Sequence, residues 1–296
     1  MTAAVALTVA GSDPSGGAGI QADLKTFSAL GAYGTAVLTA LTAQNTRGVT
    51  GVHAVPADFV GEQLRTLLAD VTVHATKLGM LGTADVVREV ARVLADRPAG
   101  PVVCDPVMVA TSGDRLIDED AVDAVRTVLL PVTDLITPNV PEAAALLDVA
   151  PATTVEELTS QATALLALGP GAVLVKGGHL GGAESVDVLV TAAGALLTQR
   201  PRVTTTATHG TGCTLSSAIA ALAARARRAA PDAPLDRAPL DRAPLDWAPL
   251  DRAPLDWAPL VEGARDHLHA ALQAGEALGV GSGHGPVHHF AGWWQA

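Results

Sequence analysis

Six short runs rich in Val, Leu and Ala recur along the first 180 residues, and each is followed by a segment of different periodicity. Runs over 4–10, 35–41, 75–80, 101–105, 134–137 and 172–175 read as strands. Helical spacing marks 20–30, where Ile20, Leu24, Phe27 and Leu30 share a face, and also 57–71, 84–95 and 118–130. Strands that are nearly continuous in apolar residues must be buried on both faces. Alternation with helices therefore predicts an α/β fold with a central, mostly parallel sheet and helices on both sides. The pair V-D-V-L-V and A-L-L-T-Q within 186–199 predicts an antiparallel edge hairpin, and late helices are expected over 212–228 and 261–278.

The composition narrows the function. With 296 residues, 49% of them hydrophobic, the chain can bury a layered core without disulfides, and only Cys104 and Cys213 are present. A formal charge of -11 gives no electrostatic footprint for a nucleic-acid backbone or an anionic membrane. The apolar N-terminus has no basic residue before Lys25 and reads as a strand, not a signal peptide. The uncharged stretches 26–46 and 203–224 are broken by Gly, Thr and Ser, so neither is expected to span a membrane. A cytoplasmic protein is the resulting expectation.

One segment breaks the pattern. From Ala233 to Leu260 the triplet A-P-L recurs six times at a period of five, separated by Asp-Arg or Asp-Trp. A proline at every fifth position removes backbone donors and opposes helix in its predecessor. The expectation is an exposed, extended, flexible insertion over 233–260 in a single domain spanning 1–296. A docking arm with Leu and Trp anchors and a tolerated tandem expansion are both compatible with it.

Two loops of small residues are candidate ligand sites. G-S-D-P-S-G-G-A-G-I-Q-A-D (11–23) loosely meets a dinucleotide fingerprint. It lacks the acid expected about 20 residues on, since no Asp or Glu lies between Asp23 and Asp58. A tight structural turn and a ligand loop both remain open for it. H-G-T-G-C-T-L-S-S-A (209–218) leads into an Ala-rich helix, where Gly210 and Gly212 would free successive N–H groups to hold an anion. The same helix field would lower the pKa of the Cys213 thiol, although a packed Cys is the simpler reading. Asp105, Asn139, Glu142 and Lys176 all fall where strands end, which in an open α/β sheet is one crevice. Two carboxylates, an amide, a lysine and an anion loop suit phosphoryl transfer from a magnesium nucleotide. No H-E-x-x-H, Walker A or G-x-S-x-G motif is present.

Taken in order, these motifs, with T-A-Q-N-T-R-G-V (42–49), K-L-G-M-L (77–81), T-P-N-V-P-E-A-A-A-L-L (137–147), V-K-G-G-H (175–179) and G-P-V-H-H-F (285–290), resemble a known family. The sequence is similar to the hydroxymethylpyrimidine/phosphomethylpyrimidine kinases of thiamine biosynthesis, a branch of the ribokinase-like superfamily. The resemblance implies phosphorylation of 4-amino-5-hydroxymethyl-2-methylpyrimidine to the monophosphate and then the diphosphate, with ATP and Mg2+. It implies that Gln44, Asp23, Met80 and Gly11 bind the pyrimidine. A carboxamide at Gln44 matches an exocyclic amine beside a ring nitrogen. By the same resemblance Asp105 and Glu142 organise the metal, while Lys176, Asn139 and Thr211 meet the nucleotide. Gly210, Gly212 and Cys213 form the anion hole, with Cys213 where most of the superfamily has an Asp base. The expected partners are the small pyrimidine and ATP, in a homodimer, with no nucleic acid and no membrane.

Pyridoxal kinase is the enzymatic alternative, because its substrate is also a hydroxymethyl heteroaromatic. A non-catalytic pyrimidine sensor is the alternative of another class. No Phe, Tyr or Trp lies between Val60 and Asp246, so adenine is expected to rest on aliphatic and small side chains.

Overall fold

The computed structural model describes residues 3–97, 99–108, 119–230 and 255–294. The chain runs β1 (Ala4–Ala10), α1 (Gly19–Ala29), β2 (Ala32–Leu38), β3 (Ala40–Asn45), β4 (Gly48–Ala54), α2 (Ala57–Asp70), β5 (Ala75–Leu78) and α3 (Ala84–Asp96). It continues through β6 (Val102–Cys104), α4 (Glu119–Ala124, extended by a π turn, Val125–Leu129), β7 (Leu135–Ile136), α5 (Val140–Leu147) and α6 (Val155–Leu166). Then follow β8 (Ala172–Lys176), β9 (Glu184–Thr191), β10 (Gly194–Pro201), α7 (Thr211–Ala229) and α8 (Trp257–Gly275).

Eight strands form one sheet in the order β10-β9-β8-β7-β6-β5-β1-β2. From β8 to β2 the neighbours are parallel, and β9 and β10 add the antiparallel edge hairpin expected from the sequence. Side chains alternate between two cores at the two-residue period of a strand. Val102 and Cys104 of β6, like Val173 and Val175 of β8, join a core built with α2 to α6, whereas Val103 and Leu174 join α1, α7 and α8 on the other face. Alanines 218, 220, 221, 223 and 224 of α7 are all fully buried, so this helix lies close to both the sheet and its helical neighbours.

The strand expected over 35–41 is divided. β2 ends at Leu38, Thr39 donates a hydrogen bond to Met80 O at 2.6 Å, and the chain leaves the sheet as the separate hairpin β3–β4. Apolar composition alone does not distinguish a strand from a strand plus a turn out of the sheet, because β-branched and small residues suit both. Helices α5 and α6 were likewise not delimited by periodicity, although Asn139 and Thr154 cap them through their side-chain oxygens.

The insertion expected over 233–260 needs correction at its C-terminal end, while residues 233–254 lie outside the described residues. The last A-P-L copy is the first turn of α8 and is not extended. Pro259 is tolerated there because first-turn N–H groups have no helical acceptor, and Asp256 caps the helix by accepting from Ala258 N at 3.2 Å. Trp257, grouped with the repeat by its sequence, is only 6% exposed and belongs to the α1–α7–α8 core. Among the described residues, no helix is long and apolar enough to cross a membrane. Trp257→Ala should cost about 3–5 kcal/mol by emptying that core position, a loss readable as a lower urea midpoint.

Candidate active site

The chain turns back between β1 and β5, so the C-terminal strand ends open onto a crevice beside that switch. Asp105 directly follows β6, Lys176 ends β8, and Asn139 and Glu142 begin α5 after β7. These groups meet as expected. Lys176 Nζ lies 2.7 Å from Asp105 Oδ1 and 3.9 Å from Glu142 Oε2. Lys176 N donates to Pro138 O at 2.8 Å, which stitches the end of β8 to the turn before α5.

Asn139 and Glu142 form a reciprocal capping box: Glu142 N donates to Asn139 Oδ1 at 2.9 Å, and Asn139 N to Glu142 Oε2 at 2.8 Å. The cap orients Glu142 toward Lys176 and commits the Asn139 amide oxygen. Burial pushes the Glu142 carboxyl up to about 7; Lys176 opposes this shift and Asp105 adds to it. The Lys176 ammonium is itself held above its ordinary pKa: burial works against it, but Asp105 and Glu142 prevail.

The N-terminus of α7 faces this cluster. A Cβ built on Gly212 would lie 3.1 Å from Asp105 Oδ2 and 3.3 Å from Lys176 Nζ, so the Gly212 backbone approaches the pair directly. Gly210 is left-handed at φ 79° and packs its Cα against Gly17 O, where a Cβ would collide with that carbonyl. Thr211 is the first helical residue, and its hydroxyl donates to Thr208 O at 2.6 Å.

A buried clasp joins the two small-residue loops. Asp13 accepts from Ala18 N at 2.8 Å and from the Ser15 N and Oγ, and its Oδ2 lies 2.7 Å from His209 Nε2. Burial alone would raise the Asp13 carboxyl, yet the hydrogen bonds from His209, Ser15 and Ala18 bring it down to about 2. The 11–19 loop is thereby fixed against the start of α7. On its other side, a Cβ on Gly11 would stand 2.5 Å from Met80 Cε. Thr42 Oγ1 donates to Ser12 O at 2.8 Å and lies 3.1 Å from Gln44 Oε1, so the hairpin carries Gln44 beside the loop. Gly11, Met80 and Gln44 are thus brought to one end of the crevice.

Asp23 does not join them, which corrects the expectation that it contacts the pyrimidine. Its carboxylate is fully buried and occupied: it accepts from Thr8 Oγ1 at 2.6 Å, Ser217 Oγ at 2.6 Å and Lys77 Nζ at 2.9 Å. Lys77, also fully buried, was missed in the sequence, although a lone lysine in the apolar strand A-T-K-L requires a buried acid partner. Asp13 and His209 were missed as a pair because they are 196 residues apart.

For Cys213 the two readings left by the sequence were a thiol made acidic by the helix field and a packed Cys, and burial favours the second. Part of the residue reaches the surface, but its surroundings bury the thiol and push it up to about 11, with Asp23 and Asp105 adding to the rise. Lys77 and an N–H from Gly19 pull the other way without prevailing. The helix field alone therefore does not yield a thiolate.

A family model described as phosphomethylpyrimidine kinase matches residues 13–233. The chain is 50% identical over 289 residues to the hydroxymethylpyrimidine/phosphomethylpyrimidine kinase of Salmonella typhimurium, covering 98% of each. It is 49% identical to a thiamine biosynthesis multifunctional protein of Corynebacterium efficiens, covering 96% of this chain and 35% of that one. Among solved structures, an ADP complex of Bacillus subtilis pyridoxal kinase superposes with a TM-score of 0.83 at 30% identity, covering 99% of this chain and all of that one. A parallel sheet with its polar groups gathered at the strand ends and a helix N-terminus is the frame of a ribokinase-like phosphotransferase. The chain belongs to the phosphomethylpyrimidine kinase family.

Because the resting thiol is protonated, iodoacetamide alkylation of Cys213 should be slow at pH 7. It should accelerate about tenfold per pH unit until the thiol ionises near 11. A rate already flat above pH 8, measured against Cys213→Ser, would show a thiolate instead.

Proposed function

We propose that the protein phosphorylates 4-amino-5-hydroxymethyl-2-methylpyrimidine and then its monophosphate, using ATP and Mg2+, to supply the pyrimidine half of thiamine diphosphate. The observation that carries this reading is the meeting of Lys176, Asp105 and the Gly212 backbone at the start of α7. A cation and a row of helix N–H groups favour negative charge where a phosphoryl group would pass, and an adjacent carboxylate suits a metal. Family membership supplies the substrate class.

The donor set fits Mg2+. The ion is commonly held through one or two carboxylates, with water and substrate phosphates completing six ligands, and Asp105 and Glu142 are the two carboxylates in reach. Among the described residues, no group of three or more His, Cys, Asp or Glu gathers, so a cage made only of protein is not what the site offers. When bound with ATP, the metal supplies charge neutralisation on the phosphates. Lys176 adds a fixed positive charge, and Gly212 and Cys213, in the first turn of α7, contribute backbone N–H groups. Asn139 contributes by capping α5, which keeps Glu142 facing Lys176.

At the other end, Gln44 reads the aminopyrimidine edge with one donor and one acceptor, while Met80 and Gly11 line the ring. Asp23 acts beneath the site by neutralising Lys77. Cys213 can take the hydroxymethyl proton only as its thiolate, the minor form at neutrality, which becomes the thiol as the hydroxymethyl oxygen attacks. In the second transfer the acceptor is a phosphate with a second pKa of about 6, already largely ionised, so that need disappears. A cytoplasmic homodimer is the assembly proposed, to be read by sedimentation velocity.

A coupled assay of ADP release should give the highest kcat/KM with the pyrimidine alcohol and its monophosphate, and a lower one with pyridoxal. Preference for pyridoxal would replace this reading with the pyridoxal kinase alternative, and no turnover with any acceptor would favour a sensor. Cys213→Ala should slow the first phosphorylation at least about tenfold more than the second, in line with the usual size of acid–base assistance. Equal losses would remove the proton-transfer role.

A further inference from the structure

Helix α8 turns one arginine inward. Arg265 is only 5% exposed; its Nε lies 3.0 Å from Asp187 Oδ2, Nη2 donates to Ser185 O at 2.9 Å, and Nη1 donates to Thr198 Oγ1. Asp187, on β9, is equally buried, and its other oxygen accepts from Gly177 N at 2.9 Å. Gly177 is the residue after Lys176, and Asp187 stands opposite Lys176 in the β8–β9 register.

The backbone at this point has little room. A Cβ at Gly177 would run into Val186 O, so the strand end passes directly beneath β9. Lys176 N is held by Pro138 O on the near side, and the next N–H is held by Asp187 on the far side. The two bonds bracket the residue whose ammonium faces Asp105 and Glu142.

Other charges near Asp187 do not duplicate Arg265. Lys176 is engaged with Asp105, and Arg200 is committed to Glu262 and Asp266 at the surface. Burial pushes the Asp187 carboxyl up, and Arg265 is the foremost charge opposing this. A charged acceptor holds an N–H more firmly than a neutral one.

We infer that Asp187, oriented by Arg265, is a positioning residue for Lys176, fixing the strand end from which the ammonium meets the nucleotide phosphates. This rests on the proposed role of Lys176. Helix α8 thereby reaches the nucleotide half of the site through one ion pair and one backbone bond.

The test uses the full chain with both charges removed together, so that neither is left buried alone. Arg265→Met with Asp187→Asn keeps an amide oxygen for Gly177 N. Arg265→Met with Asp187→Leu does not. The leucine pair should raise KM for ATP about tenfold, the size of a lost hydrogen bond to a charged group, while KM for the pyrimidine stays within about twofold. The asparagine pair should raise KM for ATP by no more than about threefold, because a neutral acceptor remains. If the leucine pair does not fold, Asp187→Ser with Arg265→Met, whose hydroxyl stops short of Gly177 N, is read in the same way.

Equal effects of the asparagine and leucine pairs, parallel rises in both KM values, or an unchanged KM for ATP would each overturn the relay. Lys176→Ala separates the two levels. If it leaves KM for ATP unchanged, the role of Lys176 falls and the relay with it; if it raises KM and the leucine pair does not, the relay alone falls.

Discussion

Four elements meet on one carboxylate. Asp23 of α1 receives the ammonium of Lys77 from β5 and the hydroxyls of Thr8 from β1 and Ser217 from α7, all shielded from water. Burying a charge pair is costly, and the cost is offset only when the geometry is good and the remaining lone pairs are satisfied. Here both carboxylate oxygens are in use. The consequence for the site is positional: Ser217 is one helical turn after Cys213, so the bond from Ser217 to Asp23 sets how far the N-terminus of α7 projects at the strand ends. The alanine face of α7 allows the close approach, and the polar knot fixes it in place.

An acidic protein that handles polyanionic substrates must concentrate its cations. With a formal charge of -11, the chain places two lysines behind and beside the α7 N-terminus, each matched to a carboxylate. Lys77 is sealed from solvent and acts only as a field, whereas Lys176 retains partial access. Glu142, pushed up to about 7 by burial, is only partly ionised near neutrality, which limits the negative charge beside an incoming phosphate. A cation entering with the nucleotide would favour its ionised form, so ligand binding and proton release are coupled at this residue.

The parallel sheet, its antiparallel edge and the order of the site motifs were legible in the sequence because each depends on local pattern. Gathering Asp105, Glu142 and Lys176 also followed from a topological rule, since strand ends converge whatever their separation along the chain. Features set by tertiary context were not legible. Asp23 reads as a ligand-facing acid on the first helix until Lys77 is seen opposite it, and helix position leaves an acidic Cys213 open until burial and two nearby carboxylates are weighed. Trp257 sits in the same A-P-L repeat as Trp247, so the sequence alone does not single it out as the core residue that it is. The division at Thr39 has no breaker residue; a side-chain bond to Met80 O marks it.

The two ends of the crevice are built from different materials, and this bears on specificity. Lys176, Asp105 and the α7 N-terminus hang from central strands and a buried helix, where displacement would disturb both cores. Gln44 rides on a two-stranded hairpin outside the main sheet, held to the 11–19 loop by Thr42 and to the C-terminal segment by the bond between Arg47 and Ser282. Strands of an isolated hairpin are only marginally stable alone, so their position depends on those few contacts. In the proposed reading, phosphate handling is therefore a rigid property of the fold, while acceptor choice resides in an element that can change without altering it. On that reading, a change of acceptor needs a change only in the hairpin and leaves the sheet and the anion site as they are.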